Sequence, residues 1–220
     1  MSEQDETPVN RLQRRKQRTR VALIKAAQAF IAAGKLNVPV LEITQAADVG
    51  MGSFYNHFDS KEALFDAAVD EVLDAHGALV DHLTNAIDDP AEVFACSFRL
   101  TGRLFRKRPQ ESRIVLANGM TMLSSERGLA PRALRDIEAA TRAGRFQVDD
   151  PEFALAVAGG ALLGLGNLLL NQPERDDSRA ADNLTENMLC FFGMPADEAD
   201  EICGRPLPDL DRYAQPTPAA

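Results

Sequence analysis

The side chains that could do chemistry in this sequence are mostly basic, and they cluster near the N-terminus. Residues 11–35 hold eight Lys or Arg residues and no Asp or Glu, whereas the whole chain carries a net charge of −9 at pH 7. A basic segment on an acidic chain is typical of a protein that binds phosphate groups at one end. The alternative is a basic tail that only contacts water, and composition alone leaves both interpretations open.

Spacings that would indicate catalysis or metal binding are absent from the sequence. His76 and His82 are six residues apart and so do not share one face of a helix. The sequence has no HExxH, no carboxylate–histidine cluster and no glycine-rich phosphate loop. Cys96, Cys190 and Cys203 have no CxxC spacing, which fits a reducing cytoplasm. We therefore expect no catalytic residue, no metal site, no cofactor and a cytoplasmic location.

The elements that position the basic residues are predicted to be helices. No segment alternates with period two for long, and Asn-Gly and Asp-Gly hairpin signals are missing. Helical periodicity and turn residues predict an all-α fold of about nine helices. The expected helices cover roughly residues 15–33, 40–47, 51–58, 61–87, 90–108, 110–124, 132–143, 151–172 and 178–192. Gly34 is expected to end the first helix, and Ser60 and Ser178 are expected to cap the fourth and the ninth.

Two short predicted helices, 40–47 and 51–58, have the pattern of a helix-turn-helix. The break between them is Asp48-Val49-Gly50, and basic residues precede the pair. In this motif the second helix lies in the major groove of DNA and the first braces it. Phe54 and Phe58 are expected to face inward.

The same region resembles the TetR family of transcriptional regulators. Thr19-Arg20, Leu23-Ile24 and Ala26-Ala27 match the pattern of the family's first helix. The run ITQAADVGMGSFYNHFDSKEALF matches the family's helix-turn-helix signature almost position for position. The resemblance is specific for residues 15–70. Beyond them it is limited to length, helix count and an apolar helix in the place of the family's eighth.

The resemblance implies a ligand-responsive transcriptional regulator, and we expect a repressor. It would bind an inverted-repeat operator in double-stranded DNA as a homodimer and be released by a small-molecule effector. The implied DNA-binding residues are Arg18, Thr19, Arg20, Met51, Gly52, Ser53, Tyr55, Asn56, His57 and Lys61. Among them Met51, Gly52, Ser53 and Asn56 would face the major groove, and Tyr55, His57 and Lys61 would hold phosphates.

Three residues depart from the family pattern. Asp48 stands where a turn glycine is usual, at a position that often needs a left-handed backbone, which Asp tolerates better than most residues. Gly50 replaces the usual Ser or Thr and removes a side-chain N-cap. Pro39 replaces the Thr that commonly starts the second helix, which puts a phosphate contact there in doubt.

The family's organisation implies four segments in this chain. We expect a disordered basic arm at residues 1–14, a helix-turn-helix DNA-binding domain at 15–60, a ligand-binding and dimerisation domain at 61–204, and a loosely ordered tail at 205–220. The arm would follow the DNA backbone or minor groove.

The larger domain is expected to dimerise through its last two long helices. Phe153 to Leu170 contains no charged residue. This length is at the lower limit for a membrane span, but an uncharged helix buried in a core or an oligomer interface is favoured, and no membrane is expected. The expected interface residues are Gly160, Leu163, Gly164, Leu168, Met188 and Phe192.

Candidate effector-binding residues are apolar side chains with a few polar groups among them. Phe98, Thr101 and Phe105 share one face of the fifth predicted helix, Asn118 and Met122 share a face of the sixth, and Asn167 interrupts the eighth. Core packing is the alternative for each residue. Arg99, Arg103 and Arg106 either contact water or bind an anionic ligand.

A second class of function stays open at this point. The chain could be a helical small-molecule-binding protein or an enzyme that retains a DNA-binding head, with a site assembled wholly by the fold. An activator, or a regulator without a ligand, is also compatible with the sequence.

Overall fold

The computed structural model describes residues 8–119, 123 and 128–210, with side chains from residue 11 onward. These residues form helices and no β-strand, which confirms the all-α prediction. The ten helices are α1 (Pro8–Ala32), α2 (Val40–Ala46), α3 (Met51–Tyr55), α4 (Lys61–Thr84), α5 (Pro90–Lys107), α6 (Pro109–Ala117), α7 (Leu129–Arg142), α8 (Pro151–Asn171), α9 (Asp177–Phe191) and α10 (Ala196–Gly204).

The chain divides into two compact units, and the boundary between Glu71 and Val72 lies inside α4. In the first unit Leu23, Ile43, Phe54 and Leu64 are completely buried. These four residues come from α1, α2, α3 and α4, so each helix of the first unit contributes a fully buried side chain.

The ends of two helices in the first unit are set by local sequence. Gly34 ends α1 with a φ of 70°, and the backbone N–H of Ala63 donates to Ser60 Oγ over 3.0 Å at the start of α4. Both are ordinary helix-capping arrangements, and both are as predicted. The start of α1 differs, because residues 8–14, expected in a disordered arm, are helical. Arg and Gln are good helix formers, so the helix continues through the basic segment. The remainder of the expected arm lies outside the described residues.

The core of the second unit is built around aromatic rings. The rings of Phe94, Phe146 and Phe192 form a triangle with centroid separations of 5.7, 5.2 and 4.9 Å. Apolar residues of α5, α7, α8, α9 and α10 pack around them. Arg145 forms two ion pairs, with Asp89 at 2.9 Å and with Glu198 of α10. Asp89 is the N-cap of α5, so Arg145 connects α5 to α10.

Helix α8 is the only helix in the described ranges that is long and apolar enough to cross a membrane. One of its faces is part of the core, with Ala158, Leu165 and Leu169 buried. The other face leaves Phe153 and Leu168 exposed. The helix is therefore buried on one side and not on all sides within a single chain.

The C-terminal part differs from the prediction in three ways. Asp176, and not Ser178, caps α9 by accepting a hydrogen bond from the N–H of Arg179 over 3.0 Å. A tenth helix, α10, follows Pro195 and was not predicted. Residues 205–210, expected to be loose, are held in place: Arg99 donates to the carbonyl oxygen of Arg205 over 2.9 Å.

The described end of the chain also packs on apolar residues. Leu210 is buried in a cluster with Leu100 and Leu104 of α5. The prolines of this segment favour extended backbone, which is why a loosely ordered tail was expected. The leucines of the segment supply the packing that holds it. Residues 211–220 of the expected tail lie outside the described residues.

Candidate DNA-binding surface and effector cavity

The turn between α2 and α3 has the left-handed residue that the sequence predicted. Asp48 has a φ of 53° and is the one described non-glycine residue with positive φ. The N–H of Val49 donates to the carbonyl oxygen of Thr44 over 2.9 Å and closes the turn. Gly50 and Pro39 begin their helices without a side-chain cap, as expected from the missing hydroxyl groups. The two short helices are thus joined rigidly by backbone hydrogen bonds.

Helix α3 presents most of its predicted DNA-contacting residues to solvent. Phe54 is completely buried and its ring lies 6.1 Å from that of Phe58 and 5.1 Å from that of Tyr55. Because Phe54 is buried, the opposite side of the helix faces solvent. Met51 and Tyr55 are 43% and 60% exposed. Gly52 and Asn56 are also exposed, while Ser53 is half-buried.

Basic residues of α1 lie beside the end of α3. The Arg20 guanidinium lies 4.6 Å from the centre of the Phe58 ring. Partial burial, followed by the positive charges of Lys16 and Arg20, lowers the pKa of His57. His57 is therefore neutral at pH 7, and a ring nitrogen can donate a hydrogen bond to a phosphate without carrying charge.

The other predicted phosphate-binding residues are on the same unit. Arg18 is exposed, and the Thr19 hydroxyl donates to the carbonyl oxygen of Arg15 over 3.1 Å. Lys61 is half-buried, with Nζ 6.0 Å from the centre of the Phe65 ring. The hydroxyl of Thr19 is thus engaged within its helix, whereas the charged groups remain partly open to solvent.

The second unit contains two neighbouring cavities that share several lining residues. The cavity that we name the polar cavity is about 70 Å³ and is bounded on one side by Asp81, Arg132 and Asp136. The cavity that we name the apolar cavity is about 80 Å³. The shared residues are Phe94, Phe98, Thr101, Leu129, Ala133 and Leu162.

The structure brings together three of the predicted effector-binding residues and separates the others from them. Phe98, Thr101 and Phe105 line the apolar cavity. Asn118 and Asn167 line neither cavity. Each amide instead donates to a backbone carbonyl four residues earlier in the chain, at 2.9 and 3.0 Å. Met122 lies outside the described residues.

Four charged residues beside the polar cavity were missed by the sequence analysis. Asp81 of α4 accepts from Arg132 Nε over 2.8 Å and from Arg135 Nη2 over 2.9 Å. Arg135 also donates to Asp136 Oδ1 over 2.9 Å. Asp136 is only 7% exposed. Paired charges at the wall of a cavity are polar groups that can orient a ligand, and they connect α4 to α7.

The two carboxylates differ in how far arginine partners compensate for their burial. Burial raises the pKa of Asp81, but the hydrogen bonds from Arg135 and Arg132 outweigh it and leave that pKa below its ordinary value. Burial also raises the pKa of Asp136, and here the single partner Arg135 does not compensate for it. Asp136 is therefore the less well neutralised of the two carboxylates and the better hydrogen-bond acceptor for a ligand hydroxyl.

A buried histidine holds the threonine that both cavities share. Thr101 Oγ1 donates to the carbonyl oxygen of Ser97 over 2.9 Å, and His76 Nε2 lies 3.2 Å from the same oxygen. Burial lowers the pKa of His76 to about 4. The imidazole is thus neutral, and because the threonine has already used its hydrogen, Nε2–H is the donor to Thr101.

The arginines of α5 bind within the chain and line neither the polar nor the apolar cavity. Arg99 and Arg103 both bond Asp182 of α9, at 2.7 and 2.8 Å. Arg106 donates to the carbonyl oxygen of Leu169 over 2.9 Å. The sequence analysis offered two alternatives for these arginines, contact with water or binding of an anionic ligand. Neither alternative describes the contacts that they make.

The predicted dimer residues divide into exposed and internal ones. Gly160, Gly164 and Leu168 are on the exposed face of α8. Phe192, in contrast, is completely buried in the core of its own chain, and Met188 packs against the same core. Leu163 lines the apolar cavity. Phe191, the last residue of α9, is 50% exposed.

Comparison with known proteins gives matches over both units. Residues 23–68 match the family described as bacterial regulatory proteins, tetR family. Residues 89–205 match the family described as tetracyclin repressor-like, C-terminal domain, which is more than half of the chain.

Individual relatives have similar descriptions. The transcriptional repressor DhaR of Mycobacterium sp. is 27% identical over 51% of this chain and 72% of that protein. The transcriptional regulator TtgR of Pseudomonas putida is 31% identical over 48% of this chain and 50% of that protein.

The crystal structures of RolR are similar over nearly their whole length. RolR without ligand is 31% identical, with a TM-score of 0.71 over 86% of this chain and 98% of that chain. RolR in complex with resorcinol has a TM-score of 0.63 over 90% of this chain and 98% of that chain. With both units matched, the chain belongs to the TetR family and is a ligand-responsive, DNA-binding transcriptional regulator.

Proposed function

We propose that the protein is a repressor that binds an inverted-repeat operator as a homodimer. The observation that carries the DNA-binding part is helix α3, where a buried Phe54 turns Met51, Tyr55 and Asn56 outward. The exposed apolar face of α8 supports dimerisation, since a second copy would cover it. A two-fold dimer presents two recognition helices about 34 Å apart, one helical turn of DNA.

We further propose that the effector is a small aromatic compound carrying hydroxyl groups. RolR, the similar structure described above, was crystallised with resorcinol. In this chain Phe94 and Phe98 form the wall shared by the two cavities, beside Asp81, Arg132 and Asp136. Aromatic rings offer stacking surfaces and the charged residues offer hydrogen-bond partners to phenolic hydroxyls.

The position of Asp81 suggests how the effector is coupled to DNA. Asp81 and His76 lie on α4, which continues into the first unit as one helix. An effector that changes the contacts of Asp81 therefore acts on the helix that also carries part of the head. Coupling energies of about 1–3 kcal/mol would weaken operator binding roughly 5- to 150-fold.

We assign no catalytic role to the chain. No group of three or more His, Cys, Asp or Glu residues in the described ranges could hold a metal ion. Burial raises the pKa of the Cys96 and Cys203 thiols to about 11, so neither is a thiolate nucleophile at pH 7. The match of residues 89–205 to the tetracyclin repressor-like C-terminal domain supports a binding protein over the alternative of an enzyme with a DNA-binding head.

The DNA-binding proposal is tested by selecting bound duplexes from random DNA. We expect an inverted repeat, bound by two chains, with an affinity that falls steeply with salt concentration. Asn56→Ala should then weaken binding to the selected duplex by about 1–3 kcal/mol, because it removes a contact to a base edge. Gln110→Ala, an exposed amide on α6 of the second unit, is the matched control and should leave affinity unchanged. Recovery of no preferred sequence would contradict the repressor assignment.

The effector proposal is tested by adding resorcinol to the protein–operator complex. We expect release of the duplex, and we expect Asp136→Asn to raise the resorcinol concentration needed for release by at least ~10-fold while DNA binding is kept. Glu138→Gln, at a neighbour on α7 whose side chain is 44% exposed, is the control for removal of a carboxylate charge. Equal loss of response in both variants would argue against a contact at Asp136.

A further inference from the structure

The two cavities differ in whether charged residues line them. The polar cavity has Asp81, Arg132 and Asp136 on one side. Among the described residues that line the apolar cavity, Thr101 is the only one with a polar side chain. A ligand that enters both cavities therefore meets hydrogen-bonding groups at one end and hydrocarbon at the other.

Thr101 does not make the apolar cavity polar. Its hydrogen is donated to the carbonyl oxygen of Ser97, and one lone pair accepts from His76, 3.2 Å away. A threonine hydroxyl has one hydrogen and two lone pairs, so no donor remains for a ligand in either cavity. Both partners are within the fold, and His76 is 4% exposed, which keeps this arrangement fixed.

The polar and apolar cavities together offer room for about one ring. Neither the polar cavity, at about 70 Å³, nor the apolar cavity, at about 80 Å³, holds a benzene ring by itself. An engineered protein cavity of ~150 Å³ binds benzene, which is close to the two cavities taken together. A single ring that occupies this space must therefore extend from the polar cavity into the apolar one, with Phe94 and Phe98 along its sides.

We propose that the effector is a single ring whose hydrogen-bonding groups are all on one edge and whose opposite edge is apolar. This inference rests on the proposed phenolic effector and specifies its substitution pattern. The polar edge lies against Asp136 and Arg132, and the opposite edge lies among Phe105, Val115 and Leu155. A hydroxyl group on that opposite edge is buried without a partner, which costs binding energy.

Two compounds that differ by one group test the proposal. 5-Methylresorcinol and 1,3,5-trihydroxybenzene both carry the 1,3-dihydroxy edge, and they differ in having methyl or hydroxyl opposite to it. We expect the methyl compound to bind up to ~4-fold tighter than resorcinol, as for one buried methylene-sized group. We expect the trihydroxy compound to bind roughly 10- to 100-fold more weakly than the methyl compound. The ratio of the two affinities is measured by calorimetry on the free protein and, independently, by the concentration of each compound that releases the operator.

Two variants test the contribution of each cavity to ligand binding in the same assay. Val115→Thr adds a hydroxyl to the apolar cavity, where Val115 is 3% exposed. This variant should bring the dissociation constants of the trihydroxy and methyl compounds closer together. Asp136→Asn acts on the 1,3-dihydroxy edge that both compounds share. It should therefore weaken the binding of both compounds and leave the ratio of their dissociation constants unchanged.

The possible failures are distinguishable. If the trihydroxy compound binds as tightly as the methyl compound, the one-edge pattern is wrong while the phenolic effector stands. If resorcinol and both derivatives fail to bind, the proposed effector itself is wrong and the one-edge pattern is overturned with it.

Discussion

Replacement of Phe192 by alanine is expected to lower the free energy of unfolding by about 3–5 kcal/mol, the usual cost of removing a buried phenylalanine ring. Phe192 is completely buried, and its ring lies 5.2 Å from Phe94 and 4.9 Å from Phe146. Its removal opens a cavity at the point where α5, α9 and the segment after α7 meet. Urea unfolding followed by circular dichroism measures the loss, which is a large share of the stability of an ordinary domain.

Phe191 supplies a matched control for this measurement. It is the adjacent residue of the same type, but it is 50% exposed. Phe191→Ala should change the unfolding free energy of the single chain by less than ~1 kcal/mol. If Phe191 lies in the proposed dimer interface, the loss of stability should be largest at concentrations where the wild type is dimeric and should shrink on dilution, whereas the loss for Phe192→Ala should be the same at every concentration. Similar losses for both variants at all concentrations would contradict the assignment of Phe192 to the core.

The head of the protein could be predicted well from the sequence because its determinants are local. The left-handed residue at Asp48, the missing caps at Pro39 and Gly50, and the cap at Ser60 are all set by residues within one turn of the chain. The burial of Phe54 follows from the helical period of a short amphipathic segment.

The effector site could be predicted only in part, because its residues meet through tertiary packing. Asp81 and Arg132 are on α4 and α7, 51 positions apart in the chain. Nothing in either local sequence distinguishes them from ordinary charged residues on a helix surface. Phe98, Thr101 and Phe105 line the apolar cavity, and the sequence grouped them because they share one face of one helix.

Polar residues on apolar helices were a misleading signal. Asn118 was expected at the effector site because it shares a helix face with Met122, and Asn167 because it interrupts an apolar helix. A side-chain amide on a helix can instead bond the carbonyl oxygen one turn earlier, and both residues do so, at 2.9 and 3.0 Å. Such a bond satisfies the amide donor without any ligand.

Gly164 offers the sharpest test of the proposed dimer. A Cβ atom added at Gly164 would meet nothing within 4 Å in its own chain, so leucine fits there without a clash. Leucine also favours a helix more than glycine does. Because a side chain on this face would hold a second α8 away, we expect Gly164→Leu to be folded and monomeric by analytical ultracentrifugation. Its affinity for a two-half-site operator should fall by ~10²–10⁴, the gain that linked binding supplies.

Gly166, two residues further along α8, is the matched control. A Cβ atom there would lie 2.9 Å from Leu116 and Phe105 of the same chain, so Gly166→Leu should destabilise the fold instead of acting on dimerisation alone. A stable, monomeric Gly164→Leu variant with weak operator binding, beside a destabilised Gly166→Leu variant, places the partner on the open face of α8. A Gly164→Leu variant that stays dimeric would mean that a different surface joins the two chains. The spacing of the recognition helices would then have to be derived from that surface.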